Sequence, residues 1–229
     1  MKIFAYIFAR GGSKGIPGKN IKTIGGKPLI EYSINSAMEN NLIDRTFVST
    51  DCKQITQVAE KSNITVIDRP KDLALDNSPE WLAWQHAIEW TRKEIEDFDI
   101  FVSLPATAPL RSINDVTNCI NALTIDCDIV VTASETSRSP WFNMLRENDD
   151  GLSELLCKPN SNFTRRQDTP KGYNLCTVAY VSRPDFILDN SNIFDGKVKS
   201  VIIPEERSID IDTMYDFKIA EFLINNDTL

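Results

Sequence analysis

The sequence predicts an α/β protein, with helices on both faces of a mainly parallel sheet. Short apolar segments of strand length alternate with longer helix-like segments through residues 1–135, and this alternation implies βαβ units with right-handed crossovers. A glycine-rich loop separates the first strand from the first helix, and ligands of such sheets bind at the carboxyl ends of the strands. With 229 residues, the chain has the length of one large domain, or of one domain with an appendage.

Hydrophobic periodicity places the individual elements. In the first predicted helix, Leu29, Ile30, Ile34 and Ala37 fall on one face, as an amphipathic helix requires. The predicted strands are residues 3–8, 46–50, 64–67, 100–104, 129–133, 176–181 and 198–203. The predicted helices are residues 27–40, 52–62, 78–96, 112–124 and 213–225.

The alternation lapses between residues 135 and 173. This stretch is rich in Pro, Asn and Asp and contains a short apolar island at residues 152–157. It is too long for a plain connection between two elements, so we expect an excursion from the sheet that holds two antiparallel strands. The predicted division is a main domain of residues 1–134 and 174–229 and a small excursion of residues 135–173.

Residues 9–20, with the sequence ARGGSKGIPGKN, have the composition of a phosphate-binding loop. Glycines let the backbone turn sharply and approach a ligand closely. Residues 1–30 contain six basic and no acidic side chains, although the whole chain carries 25 basic and 33 acidic residues. Backbone N–H groups together with local positive charge form a cradle for phosphate. The cations within the loop are Arg10, Lys14 and Lys19.

Two widespread phosphate loops do not match these residues. A Walker A loop needs G-x-x-x-x-G-K-[ST], but Ser13 stands at the first glycine position and Asn20 follows Lys19. A Rossmann fingerprint needs G-x-G-x-x-G, and the loop contains no G-x-G. From the residues alone, an ordinary glycine-rich turn with solvated lysines remains the alternative.

Charge and cysteine content exclude several classes of protein. The net charge of −8 and the pI near 4.8 argue against a surface for nucleic acid or for an anionic membrane. Five widely spaced cysteines without a C-x-x-C pair indicate neither a zinc cage nor a redox pair, and unpaired thiols suit a reducing compartment. The apolar run at the amino terminus is too short for a transmembrane helix, so we expect a cytoplasmic protein.

Asp210 and Asp212 form a candidate metal site. In an extended segment, residues two apart point to the same face, while Ile209 and Ile211 point to the other. Mg²⁺ usually takes one or two carboxylates together with substrate phosphates. The alternative is that Asp212 only caps the last helix, in which Thr213 and Asp216 resemble a capping box.

Five motifs, taken together, resemble one family. The most specific matches are R-G-G-S-K-G-x-P-x-K-N at residues 10–20 and S-I-D-I-D-T at residues 208–213. The partial matches are R-P-x-x-L-A-x-D at residues 69–76, T-x-P-L-R at residues 107–111 and R-Q-x-x-P at residues 166–170. In their order along the chain, these motifs resemble those of the acylneuraminate cytidylyltransferases, which make CMP-activated keto-acid sugars. The resemblance implies the three-layer α/β/α, Rossmann-like fold of the nucleotide-diphospho-sugar transferases, with a mainly parallel, mixed sheet.

The resemblance also implies an activity and a set of site residues. The activity is the transfer of CMP from CTP to a nonulosonic acid, with release of pyrophosphate, by a Mg²⁺-dependent homodimer that pairs through residues 135–173. Nucleotide binding falls to Arg10, Gly11, Gly12, Ser13, Lys14, Lys19, Asn20 and Arg69. The implied catalytic residues are Arg10, Lys19, Asp210 and Asp212, the last two as metal ligands. Sugar binding falls to Arg111 and Arg166.

The chain departs from the family pattern in motifs that the resemblance assigns to the sugar-binding side of the site. Pro105 and Ala106 stand where the family has Gln-Pro, and residues 173–177 read YNLCT where it often has F-R-P-N-G. A relative of sialic acid is therefore expected as substrate, with legionaminic acid a candidate. The alternatives are a 3-deoxy-octulosonate cytidylyltransferase and a non-catalytic nucleotide-binding protein. For Arg111, the alternative is a surface residue that opens a helix.

Overall fold

The computed structural model describes residues 1–158 and 163–226. Strands and helices alternate through the first 135 residues, as predicted. The strands are β1 Ile3–Phe8, β2 Thr23–Ile24, β3 Lys27–Pro28, β4 Arg45–Thr50, β5 Thr65–Asp68, β6 Ile100–Ser103, β7 Ile129–Glu135, β8 Leu145–Glu147, β9 Ser153–Leu155, β10 Tyr173–Ser182 and β11 Val198–Ile202. The α-helices are α1 Leu29–Met38, α2 Lys53–Lys61, α3 Glu80–Glu94, α4 Ile113–Ala122, α5 Pro184–Asp189 and α6 Met214–Asn225.

Seven strands form one mixed sheet in the order β11-β7-β10-β6-β1-β4-β5. β1 pairs in parallel with β4 and β6, β4 pairs in parallel with β5, and β7 does so with β11. β10 runs antiparallel between β6 and β7. The predicted mainly parallel, mixed sheet is therefore confirmed.

Helices cover both faces of this sheet, and β1 shows why. All six of its residues are buried, as is typical of a strand inside a parallel sheet. Ala5 and Ile7 pack in a core with side chains of α1, α2 and α4. Phe4 and Tyr6 pack in a second, aromatic core with side chains of α3 and α5. The three-layer α/β/α architecture follows from this alternation.

A hairpin of β2 and β3 corrects the predicted start of the first helix, which begins at Leu29 rather than at residue 27. Gly25 and Gly26 connect the two strands with φ angles of +53° and +83°, the left-handed conformation of two-residue hairpin turns. A Cβ at Gly25 would lie 2.4 Å from the side chain of Ile224, so the hairpin packs directly against α6. The Gly-Gly pair was the signal that the sequence analysis overlooked.

The excursion contains the two expected antiparallel strands. β8 pairs with β9, with Leu145 opposite Leu155. β10 begins at Tyr173, within the predicted excursion and three residues before the predicted strand, and the short helix α5 follows it without having been predicted. Residues 159–162 of the excursion lie outside the described residues. The division into a main domain and an excursion stays a prediction.

The described residues contain neither a disulfide nor a candidate membrane span. All five cysteines are free thiols. None of these helices has the length and apolarity that crossing a bilayer requires.

Candidate functional site

A cleft of about 340 Å³ opens where several parallel strands end. Arg10 follows β1, Arg69 follows β5 and Pro105 follows β6, as expected for a ligand site at the carboxyl edge of a parallel sheet. Most of the predicted site residues lie here. Those that line the cleft are Arg10, Gly12, Ser13, Lys19, Asn20, Arg69, Asp210 and Asp212.

Internal hydrogen bonds anchor the glycine-rich loop. The backbone N–H of Gly11 donates to Asp51 Oδ1 at 2.8 Å, and the side-chain amide of Asn20 donates to the carbonyl of Arg10 at 3.0 Å. A Cβ at Gly11 would lie 3.0 Å from Cβ of Cys52, so this position favours glycine. Asn20 thus supports the loop from within while also facing the cleft.

Lys19 joins the glycine-rich loop to the acidic motif near the carboxyl terminus. Its ammonium lies 2.9 Å from Asp212 Oδ1 and also donates to the carbonyl of Ile211. The Lys19 side chain is 11% exposed and that of Asp212 is 73% exposed, so the carboxylate faces the open cleft. A Cβ at Gly15 would lie 2.2 Å from the carbonyl oxygen of Asp212. Glycine there lets two motifs that are 193 residues apart in sequence meet in one surface.

Asp210 places an unsatisfied carboxylate oxygen in the wall of the cleft. Its Oδ1 is buried and has no hydrogen-bond partner among the described residues. Burial raises the pKa of this carboxyl; the nearby Thr107 hydroxyl opposes the shift, and the charge of Asp212 adds to it. An orphaned carboxylate oxygen beside a second carboxylate suits a hard divalent cation. Within residues 1–158 and 163–226, no larger cluster of potential metal ligands occurs, so phosphate and water oxygens would complete such a site.

The cap of α6 is Thr213, not Asp212. Thr213 Oγ1 accepts from the N–H of Asp216, and Asp216 Oδ2 accepts from the N–H of Thr213. This is a complete capping box. The side chain of Asp212 carries no capping role, and its Oδ1 binds Lys19 instead.

A partly buried ion pair holds the segment that leads to the acidic motif. Both carboxylate oxygens of Asp115, at the start of α4, bind Arg207 at 2.9 and 3.0 Å. The acidic motif follows soon after Arg207 in the chain, and there the N–H of Ile211 donates to the carbonyl of Thr107 at 2.9 Å. These contacts set the path of the chain past Asp210. This pair could not be predicted from the sequence, because its members are 92 residues apart.

Arg69 is buried and forms part of the floor of the cleft. It donates to the hydroxyl and the carbonyl of Ser49 at 3.2 and 2.8 Å, and its guanidinium lies 5.5 Å from the ring centroid of Phe8. Burial lowers its pKa to about 10, so it remains a cation at neutral pH.

Arg111 does not line the cleft. It is buried, and its guanidinium donates to the carbonyl of Val178 at 2.7 Å, to the hydroxyl of Ser33 and to the carbonyl of Pro105. Burial lowers its pKa to about 9. The exposed position considered for it in the sequence analysis is therefore wrong. Arg111 supports the cleft wall, because Pro105 forms part of that wall.

Arg166 lies in a separate cavity of about 270 Å³, shared with Arg138 and Lys171. Its side chain is exposed and donates to the carbonyl of Thr136 at 3.2 Å. The two arginines predicted for the sugar side are thus not brought together in this chain.

An aromatic cavity next to the cleft was not predicted. It has a volume of about 360 Å³ and shares Glu80 with the cleft. Trp81 and Trp84 are buried in the aromatic core and also line this cavity. The spacing of the tryptophans in α3 was the available signal. The remaining walls come from Pro79, Tyr180, Asn192, Ile193 and Phe194.

Comparisons with known proteins identify the family of this chain. A family model described as cytidylyltransferase matches residues 4–126, which is more than half of the chain. The chain belongs to the cytidylyltransferase family. The matched region of this cytidylyltransferase includes the glycine-rich loop, Arg69 and Arg111.

Similar proteins match along the whole chain. The cytidylyltransferase is 34% identical to the post-translational flagellin modification protein B of Campylobacter coli, over 100% of this chain and 97% of that protein. It is 32% identical to the CMP-N,N'-diacetyllegionaminic acid synthase of Campylobacter jejuni, over 98% and 95%. It is 29% identical to an N-acylneuraminate cytidylyltransferase of Streptococcus agalactiae, over 95% of this chain and 52% of that protein.

The fold also matches a solved structure, that of a CMP:2-keto-3-deoxy-manno-octonic acid synthetase complexed with CTP. The TM-score is 0.74 over 99% of this chain and 100% of that chain. At 16% identity, this likeness supports the fold and nothing more.

Proposed function

We propose that this protein activates a nonulosonic acid, such as sialic acid or legionaminic acid, with CTP, to give a CMP-sugar and pyrophosphate. The contact between Lys19 and Asp212 carries the proposal, because it brings the phosphate loop and the acidic motif into one cleft. Three kinds of relative match at least 95% of this chain and support the same substrate class. They are named CMP-N,N'-diacetyllegionaminic acid synthase, N-acylneuraminate cytidylyltransferase and pseudaminic acid cytidylyltransferase.

The charges of the cleft suit the chemistry of this transfer. The sugar hydroxyl attacks the α-phosphorus in line, and negative charge grows on the leaving pyrophosphate. Such a reaction depends on positioning and on charge neutralisation rather than on covalent catalysis. Arg10, Lys14 and Lys19 would hold the triphosphate, with Ser13 adding a hydrogen bond. Cations placed in advance where charge develops lower the barrier to the reaction.

Mg²⁺ is part of this proposal. Asp210 and Asp212 would hold the ion, and the orphaned Oδ1 of Asp210 supports that assignment. These two carboxylates would hold the ion beside the triphosphate, where it would supply positive charge and Lewis acidity. Lys19 would keep the Asp212 carboxylate aimed into the cleft.

We place the keto-acid sugar at the junction of the cleft and the aromatic cavity. Glu80 lies in both walls and can accept a hydrogen bond from a sugar hydroxyl, while the rings of Trp84 and Tyr180 offer an apolar surface to acyl substituents. Arg166 remains a candidate for binding the sugar carboxylate, because Arg138 and Lys171 add positive charge to its cavity.

A cytoplasmic location is also proposed, since CTP is a cytosolic nucleotide and free thiols suit a reducing compartment.

Pyrophosphate release tests the proposed function and separates it from the alternatives. We expect release from CTP with nonulosonic acids, and little or none from ATP, GTP or UTP. A preference for 3-deoxy-octulosonate would favour the other cytidylyltransferase class. Binding of CTP without release from any sugar of the panel would favour a non-catalytic protein. Comparable rates with UTP would contradict the assignment of cytidine.

We also propose a homodimer that pairs through the excursion. Leu145 and Leu152 of its hairpin are 63% and 64% exposed, and Phe142, Met144 and Leu156 add further exposed apolar surface. A two-stranded hairpin with an apolar face is only marginally stable by itself, and exposed apolar patches mark interaction sites.

Sedimentation at micromolar concentration should therefore show a dimer. The Leu145→Asp/Leu152→Asp double variant should sediment as a monomer, because it places two charges in the proposed contact. Ile125→Asp is the matched control, since Ile125 is 87% exposed and lies outside the excursion. A monomeric wild-type protein would contradict the proposed dimer.

A further inference from the structure

One carboxylate lies between two cations of the phosphate loop. Asp76 Oδ1 is 2.8 Å from Arg10 Nη1, and Asp76 Oδ2 is 3.0 Å from Lys14 Nζ. The side chain of Asp76 is 43% exposed, so it stands at the mouth of the cleft and not in the core. The ammonium of Lys14, together with the guanidinium of Arg10, lowers the pKa of this carboxyl, which keeps it ionised at neutral pH.

Asp76 belongs to a strap, defined here as residues 70–78, that connects β5 to α3 along one side of the cleft. The strap begins with a turn of 3-10 helix, Lys71–Ala74. Leu73, Leu75 and Ser78 line the cleft with Asp76. Arg10 also donates to the carbonyl of Ala74 at 3.4 Å, so Arg10 binds the strap at two points.

The two oxygens of Asp76 bind two of the cations that we propose for the triphosphate. A carboxylate that binds a guanidinium and an ammonium presents the same charge pattern as two oxygens of a phosphate group. Exposed ion pairs are weak, whereas a triphosphate carries several negative charges and can replace one carboxylate. Arg10 and Lys14 cannot bind both the Asp76 carboxylate and a phosphate group at full strength at the same time.

We propose that Asp76 is a built-in counter-ion of the phosphate loop, which holds Arg10 and Lys14 in place in the free protein and which a phosphate group of the nucleotide displaces. Two consequences follow. Asp76 lowers the affinity for phosphates, and phosphate binding releases the strap. This inference rests on the proposed function only in taking a nucleoside triphosphate as the natural ligand.

Binding of inorganic tripolyphosphate tests the first consequence without turnover. In low salt and without metal, the Asp76→Asn variant should bind tripolyphosphate about fivefold more tightly than the wild type, because exposed ion pairs have modest strength. CTP should show the same gain, and cytidine, which lacks phosphate, should show none. High salt should reduce the difference, since it screens exposed charges.

Asp72→Asn is the matched control. Asp72 lies in the same strap, is exposed, and forms no ion pair within the part of the chain that the structure describes. The control removes the same charge from the same segment, so it should leave the affinity for tripolyphosphate unchanged. Equal gains in both variants would show a general effect of net charge and would overturn the proposal.

Hydrogen exchange of the strap amides tests the second consequence. Tripolyphosphate should speed exchange in the strap of the wild-type protein, whereas in Asp76→Asn exchange should already be fast without a ligand. Weaker or unchanged binding by Asp76→Asn, or slower strap exchange when phosphate binds, would overturn the proposal. If tripolyphosphate shows the expected contrast but no sugar yields pyrophosphate, the proposed function fails and the counter-ion role stands.

Discussion

We expect Asp212→Asn to lower turnover by at least about a hundredfold, the scale seen when one preorganised electrostatic contact is lost from an active site. The substitution keeps the volume of the side chain but removes the charge, and Mg²⁺ prefers carboxylate oxygen. Since Thr213 caps α6, the free energy of unfolding should change by less than about 1 kcal/mol. Raised Mg²⁺ should restore part of the activity, which steady-state turnover across a magnesium titration would measure.

A neighbouring variant supplies the opposite pattern. Asp216→Ala removes an acceptor of the capping box and of the Asp212 N–H, so it should cost about 1 kcal/mol of stability and lower turnover far less than Asp212→Asn does. Lys19→Ala should lower turnover by at least about tenfold. Because Lys19 and Asp212 are in contact, the effects of the two substitutions should not add. An Asp212→Asn protein with normal turnover at low millimolar Mg²⁺ would contradict the metal assignment.

The Arg207→Ala variant should lose about 3 kcal/mol of stability, because it leaves the buried carboxylate of Asp115 without its charge partner. Only 4% of the Asp115 side chain is exposed. Equilibrium denaturation by urea would measure the loss. Arg165→Ala is the matched control: Arg165 binds Asp168 through two hydrogen bonds of similar length, but that pair is exposed and should be worth less than about 1 kcal/mol.

The cost of Arg207→Ala should depend on pH. Burial alone would raise the pKa of Asp115, but the hydrogen bonds from Arg207 and from Ser112 outweigh it, and the pKa lies below its ordinary value of 3.8. A carboxyl whose pKa is lowered in the folded state contributes stability at pH values above its ordinary pKa. That contribution is lost as the pH falls through the lower pKa of the folded state. The difference between wild type and variant should therefore be full at neutral pH and shrink below pH 3.8. A pH-independent difference would contradict a role for the Asp115 charge.

Local signals explain why much of the fold was predictable. Buried strands such as β1 are short apolar runs, and amphipathic helices such as α1 show their period directly. The hairpin of β2 and β3 was missed because its strands have two residues each, too few to show a period. The loop at residues 9–20 was recognisable, since its glycines and cations are contiguous in the chain.

Some features of the candidate site could likewise be predicted from the sequence, and others could not. The sequence indicated that Asp210 and Asp212 share a face, which depends only on an extended backbone. It could not show that Arg111 is buried beneath the cleft or that Arg166 lies in a different cavity, because burial depends on what packs around a residue. Nor could it show the pairing of Asp76 with Arg10, which depends on where the strap crosses the loop.

By itself, the sequence determined the order of the longer strands and helices, the phosphate loop and the acidic motif, because each is encoded in a short contiguous segment. Only the tertiary structure decided which charges meet: Lys19 with Asp212, Arg207 with Asp115, and Asp76 with two loop cations. These pairings depend on the order of strands in the sheet, where β10 enters antiparallel between β6 and β7. That order is set by long-range packing of whole faces, and no local pattern in the chain specifies it.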